Sequence, residues 1–185
     1  VWTVSTELVA KKLLGHSDIV TSVAVFTDGE HVVIGSQDRT AKVWVASTGL
    51  VTKTLTGHSG EVNSVAVFAD GEHVVTGSDD RTAKVWAVST GLVTKTLTGH
   101  DRGVRSVAVF ADGEHVVSGS HDRTAKIWVV STGLVTKTLA GHRGGITSVA
   151  VFADGEHVVT GSGVRSAKIW VVSTGLVTKT LAGHR

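Results

Sequence analysis

Apolar and polar residues follow one another along the chain in short segments that are separated by turn residues. In the stretch 57–98 these segments are 63–68, 73–78, 82–88 and 92–98, and most of their residues are Val, Thr or Ala. Segments of this length and composition, without a period of 3.6 residues, predict β-strands. The first segment is apolar on both faces, which predicts the innermost strand of a sheet. The last alternates Thr and Lys with Val and Leu, as expected for a half-exposed outer strand.

The same pattern returns every 42 residues. Trp2, Trp44, Trp86, Trp128 and Trp170 keep this interval, and so do five Gly-His pairs. A repeat of this length predicts tandem structural units. Counting from the Gly-His pairs gives the end of one unit (part of a third strand and an outer strand), four complete units and the start of another, at 1–14, 15–56, 57–98, 99–140, 141–182 and 183–185.

These motifs resemble those of the WD40 repeat family. The matching residues are the Gly-His pair, the Asp-Gly after the first strand, Gly-Ser-Asp-Asp-Arg-Thr at 77–82 and the Trp of the third strand. There are two departures: Ala or Thr replaces the usual Pro before Asp-Gly, and the Asp expected after Trp is replaced by Val45, Ala87, Val129 and Val171. The resemblance implies an all-β fold with four complete four-stranded antiparallel propeller blades, packed face to face around a channel.

The resemblance also implies a buried, hydrogen-bonded chain of His, Ser or Thr, Asp and Trp in each blade. The residues at the matching positions are His16, Ser36, Asp38 and Trp44; His58, Ser78, Asp80 and Trp86; His100, Ser120, Asp122 and Trp128; and His142, Ser162 and Trp170. Val164 stands where the fourth Asp is expected. A buried His142 without a charged acceptor costs about 1–3 kcal/mol, so we expect the fourth blade to be the least stable.

The number of units raises the question of how the ring closes. Propellers have about 4–8 blades, and blades of this family usually belong to rings of seven or eight. We therefore expect half of an eight-bladed ring with two exposed apolar faces, which a homodimer would close head to tail. The alternative is a fragment of a longer array. Residues 5–14 add a surplus outer strand, which either frays or displaces the strand at 176–182.

Differences among the four units concentrate in the loop before the first strand and the loop after the second, which lie at the same end of an antiparallel blade. Loops tolerate substitution without disturbing packing, and in WD40 proteins this end usually binds partners. The alternative is neutral drift of the loops. We predict a non-catalytic scaffold that binds a protein or peptide through a rim made of Asp18, Ile19, Thr21, Gln37, Glu61, Asn63, Asp79, Asp101, Arg102, Arg105, His121, Arg143 and Thr147.

Charge refines the expected partner. The formal charges of the four complete units are −1, −2, +1 and +2 in chain order. Such a gradient favours a polypeptide with both signs of charge over a uniformly anionic polymer. The net charge of the whole chain is only +2, which gives no reason to expect a nucleic acid partner.

Composition excludes several kinds of chemistry. The chain has no Cys, so it has no disulfide, thiol nucleophile or cysteine metal site. The His residues follow the fold period and not a ligand spacing, so we expect no metal. The Ser, His and Asp of each blade are the residue types of a hydrolase triad, but the resemblance implies that the Ser is buried, and the sequence has no Gly-x-x-x-x-Gly-Lys-Ser/Thr phosphate loop, so we expect no enzyme activity and no cofactor. No apolar run approaches the 18 or so residues of a membrane span, and no signal peptide is evident; we therefore expect no membrane partner and a cytoplasmic location.

A second functional interpretation remains open. The chain contains no Met and begins abruptly, which predicts a piece of a longer protein or a processed chain. Its near-identical units are also typical of a structural or engineered half propeller whose only activity is self-assembly.

Overall fold

The computed structural model describes residues 12–182, and these form sixteen β-strands in four separate sheets. In every sheet the strands lie in chain order and neighbours are antiparallel. No helix occurs between residues 12 and 182, and hence none that could cross a membrane. The predicted all-β fold of four four-stranded blades is confirmed.

We number the blades along the chain. Blade 1 contains β1 (Val20–Val25), β2 (His31–Ser36), β3 (Thr40–Val45) and β4 (Leu50–Thr56); blade 2 contains β5 (Val62–Val67), β6 (His73–Ser78), β7 (Thr82–Ala87) and β8 (Leu92–Thr98); blade 3 contains β9 (Val104–Val109), β10 (His115–Ser120), β11 (Thr124–Val129) and β12 (Leu134–Ala140); blade 4 contains β13 (Ile146–Val151), β14 (His157–Ser162), β15 (Ser166–Val171) and β16 (Val177–Ala182).

The turns between strands are set by Asp and by residues with positive φ. After β5, Gly71 has a φ of 67°, and Asp70 Oδ1 accepts hydrogen bonds from the backbone N–H groups of Glu72 and His73. After β6, Arg81 has a φ of 73°, a conformation that is uncommon for a residue with a Cβ. Asp80 supports this turn by accepting from the backbone N–H of Thr82 at 3.0 Å. The Asp-Gly turn recurs in all four blades, and the second turn keeps an Arg with positive φ in all four but its supporting Asp only in blades 1–3.

Successive blades pack face to face, and the first strands are the innermost. β1 contacts β5, β5 contacts β9 and β9 contacts β13. Each hydrophobic core is therefore shared by two blades. In the core between blades 1 and 2, Val43 and Leu55 of blade 1 pack with Val62, Val65 and Trp86 of blade 2. We call the three interfaces between successive blades seams 1/2, 2/3 and 3/4.

The array ends on an apolar face at each side. Val23 in β1 is 66% exposed, whereas the equivalent Val65 is 6% exposed under blade 1. On the opposite side, Leu181 in β16 is 40% exposed, whereas Leu139 of blade 3 is fully buried under blade 4. The residues between 12 and 182 thus form an open row of blades. The surplus strand expected at 5–14 lies largely outside the described residues, as do 183–185.

Candidate functional site

Blade 2 contains an unbroken hydrogen-bonded chain from its Trp to its Asp. Trp86 Nε1 donates to Thr76 Oγ1 at 2.8 Å, and His58 Nε2 lies 2.7 Å from the same hydroxyl. His58 Nδ1 lies 2.7 Å from Asp80 Oδ2. If His58 Nδ1–H donates to Asp80 and the Thr76 hydroxyl donates to His58 Nε2, both ring nitrogens have a hydrogen-bond partner.

The hydroxyl in this chain is not the one that sequence analysis selected. The bridging residues are Thr76, Ser118 and Thr160, in the middle of the second strand. Ser78, at the end of the strand, donates instead to Gly60 O at 3.0 Å and accepts from the turn N–H of Asp80. The prediction of a bridging role for Ser36, Ser78, Ser120 and Ser162 is therefore wrong, because their hydroxyls close the adjacent loops.

Blade 1 lacks the bridging hydroxyl, because Ile34 occupies that strand position. Trp44 Nε1 is buried without a hydrogen-bond partner, the only such side-chain atom among residues 12–182. His16 keeps its contact with Asp38 at 2.7 Å, and its Nε2 lies 3.2 Å from Ile34 O. The end blade of the array thus carries an unsatisfied donor.

Blade 4 lacks the carboxylate. Trp170 Nε1 donates to Thr160 Oγ1 at 2.8 Å and His142 Nε2 lies 2.7 Å from that oxygen, as in blade 2. With Val164 in place of Asp, His142 Nδ1 has its nearest polar contact, 3.5 Å away, with Ser166 Oγ. His142 is buried, so the condition for the predicted weakness of blade 4 is met; the weakness itself stays a prediction.

The electrostatics favour an ionised Asp in blades 1–3 and, in blade 3, a neutral His100 beside it. Burial opposes ionisation of Asp80, but hydrogen bonds from His58 and Thr82 outweigh it and hold the pKa of Asp80 well below its usual range. Burial lowers the pKa of His100, although Asp122 opposes this effect. Thr76, Ser118 and Thr160 are fully buried, so these chains support the blades and do not offer a hydroxyl to a substrate. Between residues 12 and 182, no three His, Asp or Glu side chains cluster closely enough to hold a metal ion.

The two variable loops of each blade lie side by side. The backbone N–H of the residue after the second strand donates to the carbonyl just before the first strand in every blade, from Gln37 to Ile19, Asp79 to Glu61, His121 to Gly103 and Gly163 to Gly145. The opposite end of each blade carries the nearly invariant turns, joined by bonds such as Val88 N–H to Glu72 O. The structure therefore brings the residues of the predicted rim together at one end of the array.

Four of the predicted rim residues contact one another. Asn63, Asp79, Arg105 and His121 bind one another across seam 2/3. Arg105 donates to Asn63 Oδ1 at 3.0 Å, lies 3.3 Å from Asp79 Oδ1, and directs its Nε toward His121 Nδ1 at 3.4 Å. Asn63 in turn donates to Asp79 Oδ1 and to Val104 O, both at 2.9 Å. We call these four residues the seam network.

Of the five remaining charged rim residues, Glu61 is half-buried and the other four are exposed to solvent. Asp18, Asp101, Arg102 and Arg143 are exposed. Asp18 lies on blade 1, Asp101 and Arg102 on blade 3 and Arg143 on blade 4, so these exposed charges sum to −1, 0 and +1 on blades 1, 3 and 4. These residues, with the exposed Ile19, form the accessible part of the rim.

Each innermost strand has a β-bulge that sequence analysis did not find. The register shifts at Thr21, Asn63, Arg105 and Thr147, the second residue of the first strand in each blade. A bulge redirects the side chain of the extra residue. Thr21 and Asn63 accordingly donate to the backbone carbonyls of Val62 and Val104 in the next blade. The sequence signal is that this position varies among Thr, Asn and Arg, whereas the last four residues of the strand are identical in all four blades.

Comparison with known proteins identifies the repeat. A sequence model described as "WD domain, G-beta repeat" matches residues 7–45, 49–87, 91–129 and 133–170. The last three of these matches begin at or beside the last strand of one blade and end with the third strand of the next. No curated protein matches the chain.

Proposed function

Because this chain belongs to the WD40 repeat family, whose repeats generally mediate protein–protein interaction, we propose that it is a non-catalytic scaffold that binds a protein or peptide on the rim. The observation that carries this proposal is the convergence of the variable residues at one end of the blades, while the turns at the other end hardly change. Drift would have changed both ends.

The exposed charges favour a partner with both signs of charge. Asp18 makes one side of the accessible rim acidic, and on the other side Asp101, Arg102 and Arg143 together give blades 3 and 4 a net charge of +1. Complementary charges of this kind contribute to specificity and to the rate of association. A polypeptide whose acidic part lies over blades 3 and 4 and whose basic part lies over blade 1 satisfies both sides.

The test uses three synthetic peptides of equal length: one with a basic half and an acidic half, one all acidic and one all basic. We expect the mixed peptide to bind most tightly by titration calorimetry. Replacing Arg102 and Arg143 together with Ser should weaken its binding by about fivefold or more.

The matched control replaces Glu72 and Glu156, which are exposed at the opposite end of the blades, with Gln. This control should leave the dissociation constant of the mixed peptide nearly unchanged. Equal binding of all three peptides, or an equal effect of the two double variants, would contradict the proposal.

Self-association is a second candidate function, and the two open faces favour it. In seam 3/4, a Cβ built on Gly119 would lie 2.6 Å from Ile146 Cγ2 and 2.7 Å from Val149 Cγ1, because the next blade packs against this glycine. The equivalent Gly161 has no such neighbour: its Cβ would meet only Ser148, at 3.7 Å. Gly161 therefore lies on the face of blade 4 that a further blade would cover.

Blade 1 carries the complementary surface. Val20 and Val23 are the counterparts of Ile146 and Val149, and both are largely exposed. Hydrogen bonds across the seams can be repeated as well, since Val149 N–H donates to Ser106 Oγ at 3.1 Å and Val23 N–H of a second copy would meet Ser148. A second copy of the chain thus continues an interface that already occurs three times within one copy.

Two copies are enough to cover the exposed faces of blades 1 and 4 in both chains. Each copy covers the open face of the other, giving a closed head-to-tail ring of eight blades with twofold symmetry. Three copies would give twelve blades, which exceeds the range of about 4–8 blades in propellers. We therefore propose the two-copy ring as the form of the self-association.

Cross-linking tests the pairing directly, because the chain has no Cys of its own. A variant with V23C and S148C should give covalent dimers with a short bifunctional maleimide. The control variant with S22C and V65C, placed across seam 1/2 where Val65 N–H donates to Ser22 Oγ, should link only within one chain. Absence of dimers from the first variant, with efficient linking in the control, would contradict the two-copy ring.

A further inference from the structure

Three blades hold a carboxylate in the same way. In blade 2, the Asp80 carboxylate accepts from His58 Nδ1 at 2.7 Å, from Ser59 N–H at 3.1 Å, and from Thr82 N–H and Oγ1 at 3.0 and 2.7 Å. Asp38 and Asp122 accept the same four hydrogen bonds in blades 1 and 3. The surroundings of this position thus form a recurrent carboxylate-binding arrangement of one imidazole, two backbone N–H groups and one hydroxyl.

Blade 4 retains the groups that donate these bonds but not the carboxylate. Its imidazole is His142, its hydroxyl is that of Ser166, and its backbone N–H groups belong to Arg143 and Ser166. His142 is only 7% exposed, and its Nδ1 has the long 3.5 Å contact with Ser166 Oγ. The Nδ1 atom of the buried ring therefore has only this long contact in place of the Asp carboxylate of blades 1–3.

The Val164 side chain packs toward the neighbouring loop. A Cβ built on Gly144 would lie 2.5 Å from Val164 Cγ1. Beside it lies a cavity of about 410 Å³, whose lining includes His142, Arg143, Ser166 and Lys168. The cavity thus borders the residues that correspond to the carboxylate donors of the other blades.

Charge and tautomer at this cavity suit an anion. Arg143 is exposed at the mouth and Lys168 lies on the wall. Burial, with a contribution from Lys168, lowers the pKa of His142, which keeps the ring neutral. Trp170 Nε1 donates to Thr160 Oγ1. When the Thr160 hydroxyl donates to His142 Nε2, the ring proton is on Nδ1, on the side of Ser166.

We propose that the cavity beside His142 binds a carboxylate group in the position that Asp occupies in blades 1–3. The ligand is either a small free carboxylate or an acidic side chain of a bound polypeptide, and both would offer the same two oxygens to the same donors. The site shares Arg143 with the accessible rim, whereas its other donors, His142 and Ser166, lie outside the rim.

Acetate is the probe for the free form. Titration of the full chain with sodium acetate against sodium chloride, at constant ionic strength, should shift the nitrogen resonances of the His142 side chain saturably, in the millimolar range. V164D, which supplies an internal carboxylate, should abolish the response. V164A, which preserves the cavity, should retain it.

Short peptides with blocked termini and one central Asp or one central Asn distinguish an acidic side chain from a free carboxylate as the ligand. A response to the Asp peptide but not to the Asn peptide supports an acidic side chain as ligand, and a response to acetate alone supports a free carboxylate. No saturable shift with either probe, or an equal shift in V164D, would overturn the proposal. V164D leaves Arg102 and Asp18 in place, so it should still bind the mixed-charge peptide at the rim, and the two proposals can fail separately.

Discussion

Trp44 cannot donate its indole N–H to residue 34, because Ile34 occupies the strand position from which Thr76 accepts the N–H of Trp86 in the next blade. An unsatisfied buried donor costs about 1–3 kcal/mol. Blades 1 and 4, the two end blades, therefore each lack one member of the chain that blades 2 and 3 hold complete.

A hydroxyl at position 34 should provide the missing acceptor for Trp44 Nε1–H and stabilise blade 1. Val and Thr have nearly the same shape, so I34T and I34V lose similar apolar burial and differ mainly in the hydroxyl. We expect I34T to have a free energy of unfolding about 1–2 kcal/mol higher than I34V, measured by urea denaturation. Equal stability of the two variants would show that Trp44 finds another partner.

The acid sensitivity of the blades should depend on their Asp residues. Because the pKa of Asp80 is lowered in the folded protein, its contribution to stability is present above the pKa of an unfolded Asp, about 3.9, and is lost as the pH falls toward the folded value. D80N should therefore lower the free energy of unfolding by about 1–3 kcal/mol at neutral pH.

The difference in free energy of unfolding between D80N and the unchanged chain should become smaller below about pH 4. Chemical denaturation at a series of pH values measures it. V164D is the complementary variant, since it should gain stability at neutral pH and lose that gain in acid. A difference for D80N that stays constant with pH would contradict the assignment of an ionised Asp80.

The seam network should contribute to stability, whereas exposed arginines of the rim should not. Arg105 contacts Asn63, Asp79 and His121, and it is partly exposed. R105A should lower the free energy of unfolding by about 0.5–1 kcal/mol, and R102A should change it by less than about 0.5 kcal/mol. Thermal unfolding of the two variants measures this, and the opposite order would contradict the division of the rim.

Two equivalent glycines should respond differently to the same substitution. G119A brings a Cβ within 2.6 Å of Ile146 in the packed seam 3/4, so it should destabilise the fold by about 1–3 kcal/mol. G161A meets only Ser148 at 3.7 Å and should leave the stability of a single copy nearly unchanged. Unfolding at high dilution compares them, and equal destabilisation would show that Gly161 is packed as Gly119 is.

Much of the fold follows from the sequence because its pattern repeats. The 42-residue interval, the Val-rich segments and the Asp-Gly turns set the strands and their order in each blade. The position of the bridging hydroxyl did not follow, because Thr76 and Ser78 are two residues apart on one strand and both face the same side. Only the geometry shows that Ser78 bonds the loop and Thr76 bonds the Trp.

The candidate rim followed from the sequence only in part. The loops that vary do lie together, but the bulge at Arg105 turns its side chain toward Asn63 and Asp79. Differences between repeats therefore mark both exposed residues and contacts between blades, and sequence cannot separate them. The cavity beside His142 also needed the structure, because the replacement of Asp by Val164 does not reveal which way the side chain packs.

Native mass spectrometry of the unchanged chain tests most directly the claim that its two open faces bind each other. At micromolar concentration we predict a species of twice 19.2 kDa, which G161V should convert to a folded single copy because its side chain would collide with Val20 and Val23 of the partner. A stable species of 19.2 kDa from the unchanged chain would contradict the account.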